Sequence, residues 1–232
     1  MKFEPMYRFS RLEKLIGNEN INKLKNTSVL ILGVGGVGGY VVEALARSGI
    51  ETLILVDFDT IDITNINRQI IAQNSTIGMK KVDALEKRIE DINENCKVIK
   101  IDKFIDKNNV DELFKYKFDY LVDACDSIPT KEQMIIECLK RNINFISSMG
   151  TGNKFDPTKL EICDIRKTYN DPLARIIRKF VKDNKINKKI TVLSSTEVPV
   201  KLHDKTPGST SFVPPSAGLL IASYIVRKII EK

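Results

Sequence analysis

The sequence predicts an α/β fold of Rossmann-like type, a mostly parallel, doubly wound sheet with a C-terminal extension. Three observations predict it. Short apolar runs such as 29–32 and 52–56 carry no polar alternation, the mark of strands buried on both faces. Between such runs lie longer segments with apolar residues at helical spacing, which calls for helices on both faces of a parallel sheet. The first apolar run also ends in a glycine-rich turn that opens a helix.

Taken in order, residues 8–25 have Leu12, Leu15, Ile16, Ile21 and Leu24 at helical spacing, broken at Gly17. A strand is predicted over 29–32 and a helix over 37–48. A second strand, 52–56, ends at Asp57. The helix predicted over 79–93 places Val82, Leu85, Ile89 and Ile92 on one face. A strand over 97–101 follows, then a short helix over 110–114 and a fourth strand over 118–122. Pro129 opens a helix to residue 141, as proline does in a first turn, and a fifth strand covers 143–147. After residue 150 the rhythm changes. Strands are predicted over 160–165 and 190–194, and Asp171-Pro172 is a start signal for a helix reaching 183. Residues 195–215, rich in Pro, Ser, Thr and Gly, read as an irregular loop before a last helix over 216–230. No linker separates independent halves. The expectation is one unit over 1–232, with a nucleotide-binding part over about 26–150 and a substrate-side part over about 151–232.

Of the 232 residues, 42% are hydrophobic and 29% charged, which excludes wholesale disorder. No apolar run reaches the 18 residues of a membrane span. The longest candidate, 213–226, is shorter and holds two prolines. Met1-Lys2-Phe3-Glu4-Pro5 lacks the apolar core of a signal peptide. Cys96, Cys125, Cys138 and Cys163 form no C-x-x-C pair, and His203 is the one histidine. Neither a zinc site nor a disulfide framework is expected, so the chain reads as a cytoplasmic protein with free thiols. The formal net charge of +7 suits a polyanionic partner such as nucleic acid, but an abundance of lysine alone yields the same number.

The chemistry begins at Gly33-Val34-Gly35-Gly36-Val37-Gly38-Gly39. Glycines allow the tight turn and let backbone N–H groups meet a phosphate at the helix N-terminus. Asp57 lies 19 residues past Gly38, at the end of the second strand, where an acid hydrogen-bonds a ribose hydroxyl. These features indicate a nucleotide and do not separate NAD from ATP. The next cluster bears on that choice: Asp59, the run Asn65-Ile66-Asn67-Arg68-Gln69, then Gly78, Lys80 and Lys81, and later Asp123-Ala124-Cys125-Asp126-Ser127. A dehydrogenase needs no Arg and Lys aimed at a triphosphate. An adenylating enzyme does, because it must stabilise charge on departing pyrophosphate. A carboxylate past the fourth strand suits Mg²⁺, which takes one or two carboxylates together with phosphate oxygens. Any one of these residues is ordinarily a solvated surface charge, yet all fall at or just beyond C-terminal strand ends.

These motifs, in this order and spacing, resemble the ubiquitin-activating-enzyme-like ThiF/MoeB/HesA superfamily. The resemblance implies ATP-dependent adenylation of a carboxylate. It assigns Gly33, Gly35, Gly36, Gly38, Asp57, Asp59 and Asn65 to the nucleotide site, with Asp57 on the ribose. It assigns Arg68 and Lys81 to the phosphates and Asp126 to Mg²⁺. Arg8-Phe9-Ser10-Arg11 is similar to a motif whose second arginine crosses a homodimer interface into the partner's site, so Arg11 is expected to act in trans. Arg11, Arg68, Lys81 and Asp126 form the implied catalytic set.

The second half lacks the paired C-x-x-C motifs of many members. Ser147-Ser148-Met149-Gly150-Thr151-Gly152-Asn153-Lys154, Asp156-Pro157, Asp164-Ile165, Asp171-Pro172-Leu173-Ala174-Arg175 and the 208–215 run resemble the tRNA threonylcarbamoyladenosine dehydratase branch. That branch implies activation of the threonylcarbamoyl carboxylate on a tRNA adenosine beside the anticodon. A nitrogen or oxygen of the same substituent then closes a ring with net loss of water. An acyl-adenylate supplies the leaving group that a free carboxylate lacks, and intramolecular attack gains from proximity. No cysteine is required, and Cys125 reads as small-residue packing. On the helix after Pro172, Leu173, Ile176, Ile177 and Phe180 are expected to face the core. Arg175, Arg178, Lys179, Lys182 and Lys185 are expected to face outward, toward tRNA phosphates. A sulfur-relay protein is a candidate assisting partner. Two other readings stand beside this one: adenylation of a ubiquitin-like sulfur carrier, and an NAD-dependent oxidoreductase, in which Arg68, Lys81 and Asp126 have no role.

Overall fold

In the computed structural model, residues 7–203 and 206–231 are described; the Met1–Pro5 segment lies outside them. Among the described residues seven strands share one sheet: β1 (Ser28–Leu32), β2 (Thr52–Val56), β3 (Lys97–Ile101), β4 (Tyr120–Asp123), β5 (Asn144–Ser148), β6 (Leu160–Asp164) and β7 (Thr191–Ser195). Their order is β3-β2-β1-β4-β5-β7-β6, parallel throughout except for β6 against β7. The helices are α1 (Ser10–Ile16), α2 (Asn18–Lys25), α3 (Gly38–Arg47), α4 (Lys81–Ile92), α5 (Ile128–Arg141), α6 (Pro172–Asp183) and α7 (Val213–Ile230).

The central strands are buried on both faces, which is why they read as continuous apolar runs. Val29, Ile31, Leu53, Leu55 and Val122 pack under α3, α4 and α7, while Leu30, Leu32, Ile54, Val56 and Leu121 pack under α5. A further cluster joins α6 to β7 through Ile177, Val181 and Val192. Strand order reverses between β1 and β4, and ligands of open α/β sheets bind in the crevice outside the carboxyl ends at that point.

Element types agree with the sequence reading, with three differences. The 110–114 helix is a 3₁₀ segment, Val110–Lys115. The expected extension is part of the main sheet, since β7 pairs with β5 at Ser147–Val192 and Ser148–Leu193. The last helix starts earlier, at Val213, because Pro214 and Pro215 occupy a first turn that needs no N–H donor. It is therefore 18 residues long and apolar enough by length and composition to cross a membrane, unlike the 213–226 segment considered alone. Half of it is buried, against α3 above all. A Cβ at Gly218 would lie 2.4 Å from the Val37 carbonyl oxygen, so only glycine permits this approach of α7 to α3.

Candidate active site

The glycine turn after β1 is folded by three close approaches. Gly33 has φ +83° and donates to the Val56 carbonyl at 2.8 Å. A Cβ there would meet the Ala124 carbonyl oxygen at 2.8 Å, and one at Gly38 would lie 1.9 Å from the Gly33 oxygen. The Val34 N–H donates to Asp57 Oδ2 at 2.8 Å, and the Asp59 N–H donates to Asp57 Oδ1 at 2.9 Å. Asp57 thus ties the ends of β1 and β2 together. The turn leads into the N-terminus of α3, which no side chain caps and whose positive dipole end suits a phosphate.

The 65–69 segment covers the turn. Arg68 Cγ and Pro214 Cβ each come within 3.3 Å of a Cβ position on Gly36, and Gln69 Nε2 within 3.6 Å of one on Gly35. Arg68 lies along its own segment, donating to Thr64 O at 3.0 Å and Asn67 Oδ1 at 2.9 Å. Asn67 in turn donates to the Ser209 carbonyl at 3.1 Å, tying the 195–215 loop to the rim. Asn65 is buried and closes a reciprocal cap: its Oδ1 accepts from Asp62 N, and the Asp62 carboxylate accepts from Thr64 N. Its side chain therefore shapes the segment from within. Gln69, which the sequence reading named in this run without a role, is 7% exposed, and its Oε1 has no hydrogen-bond partner among the described residues.

Lys81 is the first residue of α4, after Gly78 at φ +85°. Its Nζ, buried, lies 2.6 Å from Asp59 Oδ2, so the two predicted site residues form an ion pair at the mouth of the crevice. Lys80 points away, to the Phe58 carbonyl and Asp102.

Asp126 follows β4, two residues beyond the Ala124 carbonyl that touches Gly33. It is exposed and has no hydrogen bond or ion pair to another described residue. Beneath it lies a polar cluster that the sequence reading missed. Asp123 and Lys131 are fully buried, 3.0 Å apart. Ser147 Oγ donates to Asp123 Oδ2 at 2.6 Å, and the Cys125 N–H and thiol donate to Asp123 Oδ1 at 3.2 and 3.1 Å. The signal for Lys131 was present: it shares the α5 face of Met134, Ile135 and Cys138, where a lysine needs a buried partner. Burial, and then the Asp123 carboxylate, push the Cys125 thiol far up. It is held as a thiol, consistent with packing rather than nucleophilic duty.

Arg11 is not brought to the glycine turn of its own chain. Phe9 packs 3.6 Å from a Cβ position on Gly49, just past the C-terminus of α3, and Arg8 grips Ile92 O at the end of α4 and Glu94 beyond it. Ten-residue α3 separates that anchor from the turn, roughly 15 Å of helix. Arg11 itself is exposed.

On the substrate side, Asp171 caps α6 by accepting from Ala174 N at 2.9 Å and receives the buried Lys154 Nζ at 2.7 Å. The expected helix faces need two corrections. Ile176 is 39% exposed, and the inward positions are Ala174, Ile177 and Val181. Arg178 turns inward, donating to Thr168 O at 2.7 Å and Thr168 Oγ1 at 2.6 Å, because that loop's carbonyl needs a donor. Arg175, Lys179, Lys182 and Lys185 are exposed, as is His203 in its loop.

No group of three or more His, Cys, Asp or Glu among the described residues makes a protein-only metal centre. A single exposed carboxylate at Asp126 fits Mg²⁺ that is also held by phosphate oxygens.

A family model described as the ThiF family matches residues 9–232. The tRNA threonylcarbamoyladenosine dehydratase of Bacillus subtilis is 42% identical over 243 residues, covering 97% of this chain and 96% of that protein. Its namesake from Haemophilus influenzae is 41% identical over 171 residues, 74% of this chain and 66% of that one. Among solved structures, the Escherichia coli tRNA N6-threonylcarbamoyladenosine dehydratase in complex with ATP superposes with a TM-score of 0.91. It is 31% identical, and the match covers 97% of this chain and 94% of that one.

Proposed function

The chain belongs to the ThiF family, and from that premise we propose that it is an ATP-dependent tRNA threonylcarbamoyladenosine dehydratase. The observation that carries this reading is the near-full-length match to dehydratases, one of them solved with ATP bound. The site geometry supports it: the glycine turn lies at the β1/β4 reversal, with Arg68 over Gly36 and the loop that carries Asp126 against Gly33.

In this reading the α3 N-terminus and the glycine turn take the phosphates. Asp57 takes the ribose, as it is poised between Val34 and Asp59. Asp59 and Asn65 line the nucleotide through the segments they shape. Lys81, oriented by Asp59, and Arg68 oppose the negative charge that grows on departing pyrophosphate. Asp126 would hold Mg²⁺, which would supply charge neutralisation on the phosphates. The threonyl carboxylate attacks the α-phosphorus and pyrophosphate leaves. A nitrogen or oxygen of the same substituent then attacks the acyl carbon and AMP leaves. The substrate has lost one water, which is accounted for in the hydrolysis of ATP to AMP and pyrophosphate.

Residues of about 26–150 do the nucleotide chemistry and those of about 151–232 receive the RNA. We further propose a cytoplasmic homodimer in which Arg11 completes the partner's site, its own anchors lying at the far end of α3. A sulfur-relay protein is the candidate assisting partner, and burial disfavours the thiolate of Cys125 that such a relay would use.

The test is mass spectrometry of nucleosides from tRNA incubated with protein and ATP. Threonylcarbamoyladenosine should lose one water, in step with AMP formation. An unchanged nucleoside, with AMP formed only when a ubiquitin-like carrier is added, would replace this reading by carrier adenylation.

A further inference from the structure

Two large rings stand out of the site rim. Phe155 is 65% exposed and Phe212 is 50% exposed, and they meet edge to face with centroids 5.7 Å apart. Phenylalanines left this exposed to water gain little for the fold.

Their backbones are nonetheless fixed. Glu197 accepts hydrogen bonds from Phe155 N at 2.9 and 3.1 Å and from Asp156 N at 3.0 Å. One residue earlier along the chain from Lys154, Asn153 is braided to the second loop. Its N–H donates to Gly208 O, its Oδ1 accepts from Gly208 N, and its carbonyl accepts from Val200 N. Phe212 N donates to Thr210 Oγ1, and the Phe212 carbonyl accepts from Ser216 in the first turn of α7. Two residues on, Pro214 closes over Gly36, and Ser209 is tied to Asn67 beside Arg68. The ring pair is thus a braced apolar step on the polar rim of the nucleotide crevice.

We propose that Phe155 and Phe212 form a stacking platform for an unpaired nucleobase of the RNA substrate, at or next to the nucleotide that reacts. This deepens the dehydratase reading and rests on it. Sequence-specific contact to RNA targets loops whose unstacked bases can be splayed out onto aromatic side chains. A substituent that reacts at the glycine turn brings its own base, or the adjoining one, to this rim. Edge-to-face packing leaves a ring face free for stacking, whereas a buried pair would offer none. A base suits the rim better than a second copy of the chain, because Ser209 and Thr210 stand just before Phe212, and Arg68, linked to that loop through Asn67, uses only its Nη1 in the hydrogen bonds given above, which leaves Nε and Nη2 as donors for base edges and phosphates.

The experiment compares wild type with Phe155→Ala, Phe212→Ala and Phe212→Trp. The probes are tRNA carrying threonylcarbamoyladenosine and an anticodon-arm hairpin with 2-aminopurine in its loop. Both rings are exposed, so the variants should keep the thermal midpoint and ATP affinity of wild type. Each alanine variant should weaken tRNA binding about 5- to 150-fold, the range that base–aromatic stacking spans. The slope of log affinity against log salt should stay unchanged, since no phosphate contact is lost. Wild type should quench 2-aminopurine, the alanine variants should not, and Phe212→Trp should restore both affinity and quenching. Unchanged affinity and quenching in both alanine variants would overturn the platform while leaving the dehydratase intact. Loss of the dimer in either alanine variant would also overturn it, by assigning the rings to a subunit interface. Failure of wild type itself to bind tRNA would instead remove the RNA reading on which the platform rests.

Discussion

Replacing Lys131 by methionine removes one charge from a pair with no solvent access on either side. Asp123 then keeps the Ser147 hydroxyl and the Cys125 N–H and thiol, but no cation. Breaking a buried pair from one side costs about 3–5 kcal/mol, because the remaining charge is left uncompensated. For a chain of this length each kcal/mol moves the thermal midpoint by about 2–4 °C, so the drop should be roughly 6–20 °C. Adding Asp123→Asn removes the stranded charge while keeping an acceptor near Cys125 and Ser147. The double variant should therefore be more stable than Lys131→Met alone, a non-additivity that a double-mutant cycle reads directly. Urea denaturation of wild type, both single variants and the double variant is the assay, with ATP affinity measured beside it. ATP affinity should fall in Lys131→Met, since the 123–127 loop that presses on Gly33 is anchored by this pair. A Lys131→Met cost of under about 1 kcal/mol, or simple addition of the two single effects, would refute the reasoning, since that is the behaviour of an ordinary surface position.

Three further outcomes are expected. Gly38→Ala should abolish ATP binding measured by calorimetry, because its Cβ would collide with the Gly33 oxygen at 1.9 Å and the turn must open; retained affinity would show that the turn is not the phosphate site. Arg11→Ala and Asp126→Ala should each be inactive, yet after subunit exchange their mixture should recover about a quarter of wild-type turnover, one site of each mixed dimer being intact; no recovery after verified exchange would end the in-trans role. Neutralising Arg175, Lys179 and Lys182 together should flatten the salt dependence of tRNA affinity by roughly 2–3 units of log–log slope. Arg178→Ala, whose guanidinium is committed to Thr168, should lower stability with the slope unchanged; a flattened slope for Arg178→Ala alone would contradict its inward placement.

The sequence by itself determined the order and type of the main elements and the glycine turn after β1. Burial on both faces forces continuous apolar strands, and a tight strand-to-helix turn forces glycines, so both leave local signatures that need no partner to be read. Gly33, Gly38, Asp57 and the Asp171 cap stand where local chemistry said they would. Tertiary structure alone decided what depends on residues distant in the chain. Lys131 on α5 meets Asp123 and Ser147 from two neighbouring strands, Gly218 is forced by the approach of α7 to α3, and Arg178 is drawn inward by an unsatisfied carbonyl on another loop. Phe155 and Phe212, far apart in sequence, become neighbours because Asn153 and Gly208 bind their loops together. Periodicity reports which face of one element is apolar. Which charge is neutralised, and by what, is settled only when faces from different elements are pressed together and every buried polar group must find its partner.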